Sequence, residues 1–124
     1  MSVEQTKNGE RHFEGDFLLS DYCTALQNGS NSVSAPIIAD ACKVVGVEKG
    51  DTMWVMTQRD KLVVAPEGGD KDDCLLSDER KTTKHGNSVT INIPITSARI
   101  LDIEQGDLLR TTIYEDKIEF QKVQ

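Results

Sequence analysis

KTTKHGNSVTINIPITSARILDIEQGDLLRTTIYEDKIEF, residues 81–120, decides how the rest of the chain is read. Val89, Ile91 and Ile93 alternate with Ser88, Thr90 and Asn92, the period of a strand with one apolar face. Pro94 follows, at the start of a helix, where proline is tolerated. Ile95, Ala98 and Leu101 recur every third residue and so share one face of a short helix. Gly106-Asp107 is a turn signal, and residues 108–113 and 118–123 read as the arms of a β-hairpin with a polar tip at 114–117. Ahead of the alternating strand, His85-Gly86-Asn87 forms a bend, because Gly and Asn tolerate positive φ. Residues 81–84 make a first short strand.

The same order occurs a second time. A shift of 56 positions sets Asn31-Ser32-Val33 on Asn87-Ser88-Val89, Ile37 on Ile93, Glu48 on Glu104 and Gly50-Asp51 on Gly106-Asp107, without a gap. Lys43 with Arg99, Val45 with Leu101, Leu62 with Ile118 and Val64 with Phe120 are conservative pairs in between. Self-similarity at a fixed period marks repeated modules. The chain divides into an acidic tail (1–22), copy one (23–66), an acidic linker (67–80) and copy two (81–124). In copy one a strand at 24–27, a bend at 28–31 and hairpin arms at 52–57 and 62–65 are expected. Copy one is the more diverged, since Ile38 occupies the slot of Pro94. A module of about 45 residues buries too little surface to stand alone, so the two copies are expected to complete each other.

The 124 residues are 37% hydrophobic and only 5% aromatic, which points to a small aliphatic core. No apolar run approaches the roughly 20 residues of a membrane span. Residues 1–20 lack the apolar segment of a secretory signal. A cytoplasmic protein without membrane contact is expected. Cys23, Cys42 and Cys74 are too widely spaced for a zinc site, so no metal and no cofactor are expected. Cys42 reads as a small core residue and the other two as exposed thiols. Met53, Trp54 and Met56 are assigned to a hairpin packed in the core, although Trp54 aligns with polar Arg110 and marks a contact patch if exposed. Neither a phosphate loop nor a nucleophile-and-histidine constellation is present, so no enzymatic activity is expected.

The net charge is −7, and all of it lies outside the modules, in the tail and the linker. From 81 to 101 copy two carries Lys81, Lys84 and Arg99 and no acid; its six acids all lie between 102 and 119. One end of the module is therefore basic, the footprint of a phosphate-facing surface. Residues 23–47 carry only Asp40 and Lys43.

Lys84-His85-Gly86-Asn87-Ser88, Ile93-Pro94, Leu101-Asp102-Ile103 and Gly106-Asp107 stand at the spacing of the AbrB/MazE/SpoVT-like swapped-hairpin family, which copy two resembles over most of 81–122. The resemblance implies a mainly β fold with short helices: an AbrB-like swapped-hairpin β-barrel, here built from two internal repeats about a pseudo-twofold axis. A homodimer of like copies is the alternative assembly. It also implies a DNA-binding transcription regulator that contacts duplex DNA through the first strands, the bend and the helix. Carried over, that surface is Lys81, Thr83, Lys84, His85, Asn87, Thr90, Asn92 and Arg99, with Asn28, Asn31, Ser34 and Lys43 of copy one as secondary contacts. Two positions depart from the family pattern. Its strand arginine is Asn92 here and Pro36 in copy one, and its bend tryptophan is His85. Losing a guanidinium removes a phosphate or guanine contact. The second reading is a protein-interaction module, such as an antitoxin that neutralises a protein partner. The family's antitoxins carry their acidic tail at the C-terminus, whereas this chain has its acidic extension at the N-terminus, which favours the regulator.

Overall fold

The computed structural model describes residues 17–28, 32–67, 74–85 and 88–123. In chain order the elements are β1 (Leu19–Thr24), β2 (Leu26–Asn28), β3 (Ser32–Ile37), α1 (Ala39–Val45), β4 (Thr52–Thr57) and β5 (Leu62–Ala65). Then come β6 (Leu76–His85), β7 (Ser88–Ile93), α2 (Ile95–Leu101), β8 (Leu108–Ile113) and β9 (Ile118–Lys122). The strands form one antiparallel sheet in the order β1-β8-β9-β5-β4-β6-β7-β3-β2. β1 and β2, at opposite ends of that order, are separated by Ala25 alone. The sheet is therefore a nearly closed barrel, which leaves little free edge for association.

Two Gly-Asp turns set the hairpins. Asp51 N donates to Glu48 O at 3.1 Å with Gly50 at φ 89, and Asp107 N donates to Glu104 O at 3.1 Å with Gly106 at φ 92. This is a type II geometry, whose third residue needs positive φ and hence glycine. Each Asp carboxylate then accepts the backbone N–H three residues back, at 2.8 Å in both cases. A neighbouring strand clamps each turn. Gly50 N donates to Thr82 O and Thr82 N to Asp51 O, while Gly106 N donates to Ala25 O and Ala25 N to Asp107 O.

Groups of strands from the two halves of the chain alternate around the barrel. β1 pairs with β8 from Leu19↔Ile113 to Thr24↔Leu108. β6 pairs with β4 from Leu76↔Thr57 to Lys81↔Thr52. β3 pairs with β7, and β5 with β9. The core is aliphatic: Ile37, Val55, Leu62, Ile91, Ile93, Leu109, Ile113 and Ile118 are buried around one aromatic ring, Phe120. Burying each such side chain contributes about 1.5–3 kcal/mol.

The four hairpin arms occupy nearly the spans read from sequence, but the first strands do not. β1 starts at Leu19 and β6 at Leu76, inside the segments read as tail and linker. Asp21, Asp78 and Glu79 remain exposed there, so their charge is no obstacle to strand pairing. The helix face also differs from the expected one. Ile95 is 46% exposed, Ala98 and Leu101 are half-buried, and the residue turned fully inward is Ser97. Thr57 draws it in, donating its hydroxyl to Ser97 Oγ at 2.6 Å.

The methionines part company: Met53 lies in the main core, and Met56 joins Val63 and Ala65 in a second cluster against which half-buried Trp54 and Cys74 pack. Cys42 is half-buried against the main core; Cys23 and Cys74 are half-buried rather than exposed. Among the described residues no helix is long and apolar enough to cross a membrane, and no group of three His, Cys, Asp or Glu is placed to hold a metal.

Candidate nucleic-acid interface

The sheet portion β6-β7-β3-β2 has two unlike faces. Val33, Ala35 and Ile37 of β3 stand opposite Ile93, Ile91 and Val89 of β7; four of them are buried in the core, and Val33 and Val89 are half-buried against it. Side chains alternate along a strand, so Ser32, Ser34, Pro36, Ser88, Thr90 and Asn92 share the other face. Cross-strand rows extend it: Thr83 beside Thr90 and Pro36, and Asn92 beside Ser34 and Leu26. A small, polar, largely uncharged strip thus runs across four strands.

Burial sorts the sequence candidates on this strip. Thr90 and Ser34 are each only 4% exposed. The Thr90 hydroxyl lies 2.9 Å from that of Thr83, so Thr90 braces its exposed neighbour rather than presenting its own hydroxyl to solvent. Asn92 is half-buried and donates its amide to Val33 O at 3.4 Å. The backbones of Asn28 and His85 close the outer hairpins, paired with Ser32 and Ser88. Asn31 and Asn87 lie outside the described residues.

The cations are not gathered in one place. Lys81 and Lys84 are exposed on β6, but Lys84 stands opposite Val89 and so points to the other face of the strand from Thr83. The helices pack crosswise, α2 on β3 and α1 on β7. Arg99 of α2 therefore lines a cleft with Gln27 and Ser32 of the first half, next to Asp102 and Glu104. Lys43 is exposed on α1. Among the described residues no ion pair engages Lys43, Lys81, Lys84 or Arg99, in contrast to Lys122, which bonds Asp102 and Asp107.

Reading the sequence missed two residues beside this strip. Gln27 borders the Arg99 cleft, and Arg80 borders a second cleft together with Asn92 and Ser32. Arg80 was hidden by its setting in an acidic stretch that reads as linker. The only available signal was a cation in a run of acids. Compared with known proteins, the chain matches no protein-family model, no curated protein and no solved structure.

Proposed function

We propose that the protein is a transcription regulator that binds duplex DNA, built from two tandem modules of the AbrB-like swapped-hairpin type. The observation that carries this reading is the crosswise pairing of strands. β1 of the first half lies beside β8 of the second, and β6 of the second beside β4 of the first. A shift of 57 residues carries β1 and β2 onto β6, and a shift of 56 carries β3, β4 and β5 onto β7, β8 and β9. Under those shifts Leu19↔Ile113 becomes Leu76↔Thr57, while the β3–β7 and β5–β9 registers map onto themselves about Ala35/Ile91 and Val63/Glu119. These registers are consistent with a pseudo-twofold axis through those two pairs, and that consistency supports the reading of two repeated modules with exchanged hairpins.

Duplex DNA suits the polar strip, with Lys81 on the same face of β6 as Thr83, while Lys84 and Arg99 stand apart from it. Lys81, Lys84 and Arg99 are the candidates for phosphate contacts; Thr83 and Asn92 are the candidates for base edges, with Asn87 carried over from the family resemblance, and asparagine pairs bidentately with adenine. The test is gel-shift and anisotropy titration with duplexes from upstream of the protein's own gene, against random duplex at matched salt. Saturable preference for the upstream fragments is expected. Lys84→Ala and Arg99→Ala should each weaken binding to all sequences and lower the salt slope by roughly one. No binding at low salt, or unchanged slopes in both variants, would refute the reading.

A protein-interaction module is the second reading, favoured by one observation. On the face of β4–β5 turned away from the main core, half-buried Trp54 borders an apolar cluster of Met56, Val63 and Ala65, which are themselves buried, so Trp54 is the group a partner would reach. The positions 56 residues on are Arg110, Thr112, Glu119 and Gln121, all polar.

A further inference from the structure

The cleft beside Arg80 has a volume of about 540 Å³, within the range of roughly 300–1,000 Å³ typical of small-molecule sites. Its walls differ in chemistry. Val55, Leu76 and Ile95 form an apolar side; Arg80, Asp78 and Asn92 form a polar one. Arg80 Nη2 contacts Asp78 Oδ2 at 3.0 Å. The other Asp78 oxygen accepts the Glu79 N–H at 2.9 Å. Arg80 Nε is buried and has no hydrogen-bond partner, alone among the buried side-chain polar atoms of the described residues. A buried guanidinium N–H left unpaired is costly and calls for an acceptor.

The opposite side of the barrel shows that this chemistry is not needed for the fold. Cys23 stands opposite Leu109 as Arg80 stands opposite Met53, and Pro36 stands opposite Thr90 as Asn92 stands opposite Ser34. Neither the guanidinium nor the amide recurs there.

We propose that this cleft binds a free α-amino acid with an apolar side chain. Arg80 and Asp78 together carry no net charge, so the site does not favour a simple anion. A zwitterion matches both: its carboxylate accepts from the Arg80 guanidinium, a turn of that side chain bringing Nε into the cleft, and its ammonium donates to Asp78. Asn92 stands at the rim to bond the same polar end. The apolar side chain lies on Val55, Leu76 and Ile95. The inference rests on the cleft alone and stands whether or not the protein binds DNA.

Titration calorimetry of the full chain with L-leucine tests it, beside isocaproate, which lacks the amine, and isoamylamine, which lacks the carboxylate. Leucine should bind saturably with a Kd on the order of 1 mM or tighter, and each analogue about tenfold or more weakly. Asp78→Asn and Arg80→Gln, each checked for an unchanged thermal melt, should weaken leucine binding by about tenfold or more. Asp78 is exposed, so its variant keeps the test sound if Arg80→Gln fails to fold. Absence of saturable leucine binding, equal binding of isocaproate, or undiminished binding in Asp78→Asn overturns the proposal.

Discussion

Thr57 donates its hydroxyl proton to Ser97 Oγ across 2.6 Å, joining strand β4 of the first half to helix α2 of the second. Thr57 is fully buried and Ser97 is 1% exposed. Ser97→Ala should therefore strand a buried hydroxyl and cost about 1–3 kcal/mol, read as a lower urea midpoint at unchanged slope. Adding Thr57→Val, which removes the orphaned group, should recover part of that loss. A double variant no more stable than the single one would show that the bond does not link the two halves as described.

Opposite signs are expected at two positions with left-handed backbone. Gly106, at φ 92, has open space where a Cβ would stand, so Gly106→Ala is strained by backbone conformation alone and should cost about 1–2 kcal/mol. Asp102 caps α2 at φ 57, where α1 uses Gly46 at φ 80. Asp102→Gly should stabilise by several tenths of a kcal/mol up to about 1. The exposed contact of its carboxylate with Lys122 at 3.4 Å offsets little, and Lys122 keeps its 2.6 Å bond to the Asp102 carbonyl. Thermal melts of the two variants must move in opposite directions.

Burial pushes the Cys23 thiol above its ordinary value of 9.0, with the Asp21 charge adding to the shift and the Thr111 hydrogen bond opposing it. The fold therefore holds Cys23 in its neutral form. Its contribution to stability is complete below the unfolded value and declines as pH rises through and beyond 9.0. Near pH 8, a disulfide reagent should label Cys23 far more slowly in the native protein than in urea, since the thiolate is the reactive form. Cys42 is shifted the same way, also by burial. Equal labelling rates in both states would contradict this environment.

Truncation tests the role of the N-terminal segment. Residues 1–16 carry four acids and two bases, while Leu18 N donates to Ile113 O and Leu19 begins β1. Removing 1–16 should leave the melt unchanged and raise affinity for random duplex at low salt. That gain should fade as the Debye length falls from about 30 Å at 0.01 M to about 3 Å at 1 M. Removing 1–20 takes the first pairs of β1 as well and should lower the melting temperature. A large drop with the shorter deletion, without change in DNA affinity, would assign the tail a structural role instead.

The hairpins and turns were determined by the sequence alone. Alternation along 52–65 and 108–122 is local, and a type II turn declares itself through the glycine it requires at Gly50 and Gly106. Tertiary structure alone decided where β1 and β6 begin. Their partners lie 84 to 94 residues away for β1 and 19 to 29 for β6, and no local pattern records a partner that far along the chain. It also decided that Ser34, Thr57, Thr90 and Ser97 are buried, because a small hydroxyl looks the same in sequence whether solvent or a second hydroxyl takes its hydrogen bond. The cleft at Arg80 belongs to the same class: its walls come from β3, β4, β6, β7 and α2, and only the pairing of strands from distant parts of the chain sets them side by side.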